Sequence, residues 1–249
     1  MHRFYIPPEQ CHGPLLLLTG SEAHHAQHVL RIRAGDRVVV LDGAGRQCSC
    51  EVREISGKKV CLQVIEERLV PPPSCRMTLL QALPKGKIFE DIIQKATELG
   101  VFRIVPLLSE HVVIRVSERE AVAKAAKWRR VAIEAIKQCG AAWLPQIDAP
   151  LTVAQFLDRR DSFELPLLAS LQPGSRHPRE YFVAFETQHD RKPRTACVWV
   201  GPEGDFTPQE TEAIVAAAGL PITLGPLVLR VETAATYCLA ILNYELQDR

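Results

Sequence analysis

Two glycine-containing turns near the carboxyl end of the sequence carry the residues best suited to hold a small polar ligand. The apolar segment 196–200 runs directly into Gly201-Pro202-Glu203-Gly204, and the segment 222–224 runs into a second turn that begins at Gly225. Glycine lets backbone approach a ligand closely, and the exposed amides of such turns bind polar groups. Because ligands of α/β sheets bind beyond the carboxyl ends of the strands, we expect both turns to line one pocket.

The first turn does not identify its ligand by itself. Gly-Pro-Glu-Gly is equally typical of a plain structural loop, and it differs from the dinucleotide motif G-x-G-x-x-G and from the phosphate loop G-x-x-x-x-G-K-[ST]. The residues that follow predict the start of a helix, with Thr207 as the N-cap, Pro208 at the first helical position and Glu210 completing a capping box. A strand, a glycine turn and a helix in succession are a typical ligand-binding arrangement.

The composition is that of an ordinary globular protein. Hydrophobic residues make up 47% of the 249 residues and charged residues 24%, which excludes a disordered chain. No apolar run is long enough to cross a bilayer, and the amino terminus lacks the apolar region of a signal peptide. We therefore expect a cytoplasmic protein with no membrane partner. The net charge is only +1, so any contact with nucleic acid must come from a local basic patch.

Cysteine and histidine spacing does not predict a metal site. The eight cysteines include no Cys-x-x-Cys pair, which favours free thiols over a disulfide framework or a zinc site. His24 and His28 lie one helical turn apart, a spacing that zinc ligands also use. Because neither the Glu of a His-Glu-x-x-His site nor a third ligand accompanies them, we expect no metal.

The apolar pattern predicts two domains separated by Pro71-Pro72-Pro73. The region before the prolines reads as β-rich with one helix, whereas strands alternate with amphipathic helices after them, which predicts a mostly parallel α/β sheet. We expect strands at 37–41, 47–55, 59–66, 77–83, 102–108, 165–169, 196–200 and 222–224, and helices at 21–31, 86–99, 118–138 and up to Ala240. Segment 173–194, rich in Pro, His and charge, is expected partly as loop.

The two turns together resemble the paired motifs of the RsmE-type ribosomal RNA methyltransferases of the SPOUT superfamily, which methylate N3 of a uridine in small-subunit (16S) rRNA. The first motif is Gly201-Pro202-Glu203-Gly204, and the second is Leu224-Gly225 followed by Leu229-Arg230-Val231-Glu232-Thr233-Ala234. Their order and spacing match the family. The resemblance spans nearly the whole chain, with further matches at 28–31, 94–101, 109–110, Trp128, 134–135 and Gln138.

This resemblance implies a fold, a cofactor and partners. Residues 1–72 would form a PUA-like RNA-binding β-barrel, and residues 73–249 a SPOUT α/β methyltransferase domain threaded as a trefoil knot. The protein would be a homodimer that acts on small-subunit rRNA, as free RNA or in the assembled subunit. Three loops would hold S-adenosylmethionine (SAM), through Leu168, Ala169, Gly201, Pro202, Gly204, Leu224, Gly225, Leu227 and Leu229.

Two charged residues of the motifs are the catalytic candidates that the resemblance indicates. Uridine N3 carries a proton at neutral pH and lies on the pairing edge of the base, so the enzyme must reach an unpaired nucleotide and help to remove that proton. Arg230 would stabilise developing negative charge, and Glu203 would orient the substrate or accept the proton. The structural alternatives are that Arg230 pairs with Glu232 or another carboxylate, and that Glu203 interacts with the helix dipole or braces its loop.

A basic surface is the expected RNA contact. Its candidate residues are His24, His28, Arg31, Arg33, Lys85 and Lys87. Phosphate contacts of this kind position RNA without reading its sequence. The alternative for each residue is a place on an ordinary solvated surface.

Four positions depart from the family pattern. Asp205 stands where a glycine is usual, and arginine is frequent at the positions of His111, Ala141 and Leu227. Fewer basic residues affect RNA contact more than SAM binding, which leaves open a SPOUT methyltransferase that acts on another nucleotide, or a non-catalytic RNA-binding protein on the same scaffold. A conventional open-sheet methyltransferase is disfavoured, because segment 77–83 leads into Pro84-Lys85-Gly86 instead of a glycine-rich loop.

Overall fold

The computed structural model describes residues 1–111 and 118–247, without the side chains of residues 118 and 119. Contacts between residues divide the chain into two compact units. The first unit comprises Met1–Pro72 and Ile133–Leu144, and the second comprises Pro73–Ala132 and Pro145–Arg249. Residues 133–144 thus group with the amino-terminal segment although they follow it at a distance in the sequence.

The first unit is built on five strands and a short helical segment. The strands are β1 (His2–Tyr5), β2 (Leu15–Leu18), β3 (Arg37–Leu41), β4 (Arg46–Ser56) and β5 (Lys59–Leu69). They form one sheet in the order β1-β3-β4-β5-β2, in which only β1 and β3 are parallel. This sheet is the half-barrel of a PUA domain. The helix α1 (Gly20–His24) continues into one turn of π-helix, His25–Val29.

Alternation along the strands explains the core of the first unit. In β2, Leu16 and Leu18 are buried, and in β4 the cysteines Cys48 and Cys50 are buried on one face, as the two-residue period predicts. These side chains belong to one apolar cluster with residues from β1, β3, β5 and α1. Burial raises the pKa of the Cys50 thiol to about 12, so this thiol stays protonated and packs as an apolar group.

The second unit is an α/β domain with short strands between helices. Its strands are β6 (Arg76–Ala82), β7 (Arg103–Leu108), β8 (Gln146–Ile147), β9 (Leu151–Thr152), β10 (Leu165–Ala169), β11 (Thr195–Val200) and β12 (Leu220–Ile222). Its helices are α2 (Ile88–Glu98), α3 (Glu118–Cys139), which ends in the first unit, α4 (Val153–Asp158), α5 (Pro178–His189), α6 (Pro208–Ala216) and α7 (Val231–Leu246).

The seven strands form one parallel sheet, as the alternating pattern predicts. The order is β12-β10-β11-β6-β7-β8, and β9 also pairs with β7. Every pairing between these strands is parallel. Their carboxyl ends therefore meet at one edge of the sheet, which is the edge where such sheets bind ligands.

The predicted start of α6 is confirmed by its hydrogen bonds. The hydroxyl of Thr207 accepts a hydrogen bond from the N–H of Glu210 at 3.2 Å, and the Glu210 carboxylate accepts one from the N–H of Thr207 at 3.0 Å. Pro208 occupies the first helical position. This capping box fixes the point at which the turn after β11 ends.

The expectation of a partly looped segment at 173–194 misses a full helix, α5. His177 accepts a hydrogen bond from the N–H of Arg179 and donates its own N–H to Glu180, which makes a capping box. Only Pro178 and Phe182 are buried. Because its buried face is so narrow, α5 lacks the apolar stripe by which a helix is predicted from sequence.

The last strand ends earlier than the sequence predicts. β12 covers Leu220–Ile222 instead of 222–224. The hydroxyl of Thr223 accepts a hydrogen bond from the N–H of Gly225 at 3.2 Å, which turns the chain out of the sheet. Leu224 therefore lies in the loop and not in the strand.

Candidate functional site

Three loops leave neighbouring strands at the carboxyl edge of the sheet in the second unit. β10 lies between β11 and β12, and it pairs in parallel with both. The N–H of Ser170, directly after β10, donates to the carbonyl of Ile222 at 3.0 Å. The loop after β10 thus leaves the sheet between the two glycine turns, so three loops follow neighbouring strands. This arrangement agrees with the three loops that the resemblance implies.

The turn after β11 requires glycine at its first position. A Cβ at Gly201 would lie 2.6 Å from Oδ1 of Asp205, closer than atoms can approach. That oxygen accepts a hydrogen bond from the N–H of Phe206 at 2.8 Å, and Asp205 itself has a φ of +58°. Asp205 therefore supplies the left-handed residue that this turn needs, a conformation that Asp adopts more readily than most residues.

Glu203 lies at the exposed tip of this turn, and its side chain holds the turn to the segment that follows β6. Its Oε1 accepts a hydrogen bond from the N–H of Lys85 at 3.0 Å, three residues beyond the end of β6. One oxygen of Glu203 thus has the loop-bracing role that the sequence left open as the structural alternative. Because the side chain is exposed, the second oxygen is open to other partners.

The loop after β12 contains backbone N–H groups that have no hydrogen-bond partner among the described residues. Gly225 has a φ of +108°, which favours glycine, and no atom lies within 4 Å of the position of an added Cβ. Leu227 and Val228 are 73% and 79% exposed. The N–H groups of residues 227–229 have no hydrogen-bond partner among the described residues. This loop therefore offers amides and open space to a ligand.

The structure brings the predicted cofactor residues to this one edge. Leu168 and Ala169 end β10, with Leu168 buried. Pro202 is buried, and Gly204 is exposed. Leu224 and Leu229 are half-buried in the loop after β12.

The residues present fit SAM. Adenine and ribose carry nitrogen and oxygen atoms that pair with backbone amides and carbonyls, and the free N–H groups of residues 227–229 provide such donors. Two buried polar atoms, Oε1 of Gln81 and Oγ of Ser109, also lack a partner among the described residues, and both lie near the carboxyl ends of β6 and β7. The edge therefore has unused hydrogen-bonding capacity.

Arg230 stands at the N-cap of α7. Its carbonyl accepts the first helical hydrogen bond, from the N–H of Ala234 at 2.8 Å. Its side chain is exposed, and among the described residues it makes neither a hydrogen bond nor an ion pair. The alternative pairing with Glu232 is thus not found, and the guanidinium is available to a ligand.

The basic candidates divide between the two units. His24, His28, Arg31 and Arg33 are exposed in the first unit, and Lys85 and Lys87 are exposed in the second. The rings of His24 and His28 lie 4.6 Å apart. Arg31 has a φ of +53°, a strained conformation two residues after the end of the π-helix, and both features recur at functional sites.

His111 is a site residue that the sequence analysis noted only as a departure from the family. Its Nδ1 lies 2.9 Å from the carbonyl oxygen of Asp205, so it contacts the turn after β11. The signal in the sequence is its position directly after Ser109-Glu110. Its distance of 94 residues from Asp205 hides the contact from any local pattern.

Within residues 1–111 and 118–247, the side chains form no group of three or more His, Cys, Asp or Glu suited to a metal ion. In the same residues, every helix is too short or too polar to cross a membrane.

Two known protein families match parts of this chain. Residues 71–243 match the RNA methyltransferase domain, and residues 18–65 match the RNA methyltransferase PUA domain. The chain belongs to the RNA methyltransferase family. The family match covers both glycine turns, Arg230 and His111.

Similar proteins from two bacteria share one name. A ribosomal RNA small subunit methyltransferase E of Synechocystis is 34% identical over 99% of this chain and 78% of its own length. The protein of that name from Bacillus subtilis is 30% identical over 94% of this chain and 91% of its own length.

Two solved structures of methyltransferases share the fold. A methyltransferase of Legionella pneumophila in complex with SAM is 29% identical, with a TM-score of 0.88 over 99% of this chain and 98% of that one. A ribosomal RNA small subunit methyltransferase E of Neisseria gonorrhoeae bound to SAM is 25% identical, with a TM-score of 0.84 over 98% and 97%.

Proposed function

We propose that the protein is a SAM-dependent methyltransferase that methylates N3 of a uridine in small-subunit (16S) ribosomal RNA. The observation that carries this proposal is the meeting of three loops, after β10, β11 and β12, at one edge of the parallel sheet in a member of the RNA methyltransferase family. The names of the relatives and the SAM bound in similar structures support the substrate and the cofactor.

SAM is held by backbone of the three loops. Leu168 and Ala169, the turn Gly201–Gly204, and Leu224 to Leu229 would surround it, with the free N–H groups of residues 227–229 as donors. When bound, SAM supplies the methyl group from its positively charged sulfonium. The same threading as in the SPOUT superfamily, a trefoil knot, is part of this proposal.

Arg230 and Glu203 act on the uridine. The unpaired guanidinium of Arg230 stabilises the negative charge that develops on the base when N3 loses its proton. Glu203 keeps the turn in place through the N–H of Lys85 and orients the base with its other oxygen. No activated nucleophile is needed for direct transfer.

RNA is held by exposed basic side chains in both units. His24, His28, Arg31 and Arg33 belong to the PUA-like domain, assigned to residues 1–72, and Lys85 and Lys87 to the methyltransferase domain, assigned to residues 73–249. Each unit thus presents its own exposed donors for phosphate, in a chain of nearly zero net charge. We place the reaction in the cytoplasm, where ribosomal subunits are made.

The protein forms a homodimer through α7. Thr233, Tyr237, Ala240 and Tyr244 are exposed and lie on one face of this helix, because they are spaced by four, three and four residues. Tyr244 is 77% exposed, an unusual position for a large aromatic side chain. Tyr244→Glu is expected to give monomers in sedimentation, whereas Val183→Glu on α5 is expected to leave the dimer intact.

The deciding experiment measures SAM binding and methyl transfer separately. Calorimetry is expected to detect SAM binding, and labelled SAM is expected to transfer its methyl group to 16S rRNA at a single uridine. Binding without transfer to any rRNA would favour the non-catalytic RNA-binding alternative, and transfer to another nucleotide would favour a different target. No binding at millimolar SAM would refute the proposal.

A further inference from the structure

The imidazole of His111 packs on the turn after β11 at the carboxyl end of β7. A Cβ at Gly204 would lie 3.4 Å from Nδ1 of His111 and 3.6 Å from its Cγ, so glycine allows the ring to lie this close. The Nδ1 is 2.9 Å from the carbonyl oxygen of Asp205. The side chain is nevertheless exposed, so the rest of the ring is accessible.

This hydrogen bond determines where the ring carries its proton. A carbonyl oxygen only accepts hydrogen bonds, so Nδ1 must be the donor. In a neutral imidazole with a proton on Nδ1, Nε2 has a free lone pair and accepts protons. The contact with Asp205 therefore presents Nε2 of His111 as an oriented base.

The strand order puts this base beside the expected position of the substrate. The three cofactor loops follow β12, β10 and β11, and β6 and β7 continue the sheet on the other side of β11. His111 follows β7 and reaches the turn after β11. A nucleobase that approaches the methyl donor from the side of β6 and β7 therefore meets the imidazole.

Three carboxylates of the turn after β11 and the start of α6 accept hydrogen bonds from backbone N–H groups. Glu203 accepts from the N–H of Lys85, and Asp205 accepts from the N–H of Phe206. Glu210 accepts from the N–H of Glu110 at 3.0 Å and also caps α6. The Glu110 side chain is exposed. These hydrogen bonds shape the turn, whereas Nε2 of the imidazole has no hydrogen-bond partner among residues 1–111 and 118–247.

We propose, on the basis of the proposed function, that His111 is the general base that accepts the N3 proton of the target uridine. The N3–H bond breaks, the proton binds Nε2, and the electron pair stays on N3. That pair would form the bond to the methyl carbon of bound SAM as the carbon–sulfur bond breaks, and the electrons of that bond would stay on the sulfur of S-adenosylhomocysteine, which leaves. The imidazolium then releases the proton to water. Histidine suits this step because it is the side chain that most often serves as a general acid or base in enzymes.

The variant His111→Gln tests this role. Its amide N–H₂ can still donate to the Asp205 carbonyl, but it cannot accept a proton. We expect kcat to fall by about 100-fold, the usual contribution of a general base, and the acidic limb of the pH–rate profile to disappear. SAM affinity is expected to stay within about twofold. The control His189→Gln removes an exposed imidazole at the end of α5 and is expected to change neither quantity.

Two further measurements distinguish a general base from a residue that only stabilises the turn. Added imidazole is expected to restore part of the activity of His111→Ala, which a structural loss would not allow. Nitrogen NMR of the free protein is expected to show the His111 proton on Nδ1. A proton on Nε2, or a His111→Gln variant with normal kcat and pH profile, would overturn the role of His111. Loss of SAM binding in that variant would also overturn it, in favour of bracing. A wild-type protein that transfers no methyl group would instead refute the proposed function.

Discussion

Glu203 accepts a hydrogen bond from the backbone N–H of Lys85, which joins the turn after β11 to the end of β6 across 118 residues of sequence. This hydrogen bond gives the carboxylate a structural role, because it holds the turn in place. It also separates two roles of Glu203, because a glutamine at this position retains the accepting Oε1 but loses the charge.

We expect Glu203→Gln and Glu203→Ala to differ. Glu203→Gln keeps the brace, so SAM affinity should stay within about twofold while kcat falls by about tenfold through the lost charge. Glu203→Ala removes the brace and should weaken SAM binding as well. Calorimetry and single-turnover methylation measure the two effects, and equal SAM affinities in all three proteins would exclude a bracing role.

Valine at either glycine turn is expected to abolish SAM binding without unfolding the second unit. At Gly201 the added Cβ meets Asp205 Oδ1, and at Gly225 the φ of +108° is strained for any branched side chain. Gly57→Val is the matched control, since Gly57 has a φ of +55° and open space but lies in the hairpin between β4 and β5. Circular dichroism checks the fold. Unchanged SAM affinity in both turn variants would rule out the assigned pocket.

Arg230→Gln is expected to lower kcat by about 100-fold and leave the affinity for SAM nearly unchanged, because the guanidinium is unpaired and acts on charge that develops in the transition state. Arg230→Lys should recover part of this loss. The single-turnover rates of the wild type and the two variants with 16S rRNA measure this difference. A large fall in thermal stability in Arg230→Gln would instead indicate a structural role.

Asp148→Asn is expected to destabilise the protein by about 3 kcal/mol, the usual cost of breaking a buried ion pair. Asp148 is nearly buried and binds Arg103 at 2.6 Å and Arg159 at 2.8 Å. The control Asp161→Asn removes a more exposed partner of Arg103 and should cost about 1 kcal/mol or less. Urea unfolding measures both values.

The loss in Asp148→Asn is also expected to depend on pH. Burial tends to raise the pKa of Asp148, but the hydrogen bonds and charges of Arg103 and Arg159 outweigh it and lower the pKa below its ordinary value. The stabilisation is therefore present above the unfolded-state pKa of about 4 and is lost as the pH falls through the lower folded-state value. The difference between wild type and variant should shrink below about pH 4. A difference that stays constant down to pH 2 would contradict this account.

Local sequence was enough to predict much of the second unit. The capping box at Thr207, the parallel strands at Leu165–Ala169 and Thr195–Val200, and the glycine turn between β11 and α6 depend on neighbouring residues, so their pattern is visible in the sequence. The helix α5 was missed because its polar surface hides a buried face of only two residues.

By itself, the sequence determined most of the longer strands and helices, the parallel sheet and the family motifs, because periodicity, caps and turns are properties of short segments. Only the tertiary structure decided that β10 lies between the two glycine turns, that Glu203 meets Lys85 and that His111 meets Asp205. These contacts join residues about 100 positions apart. Strand order alone brings them together, and strand order depends on how the whole chain packs its apolar faces, which no local pattern records.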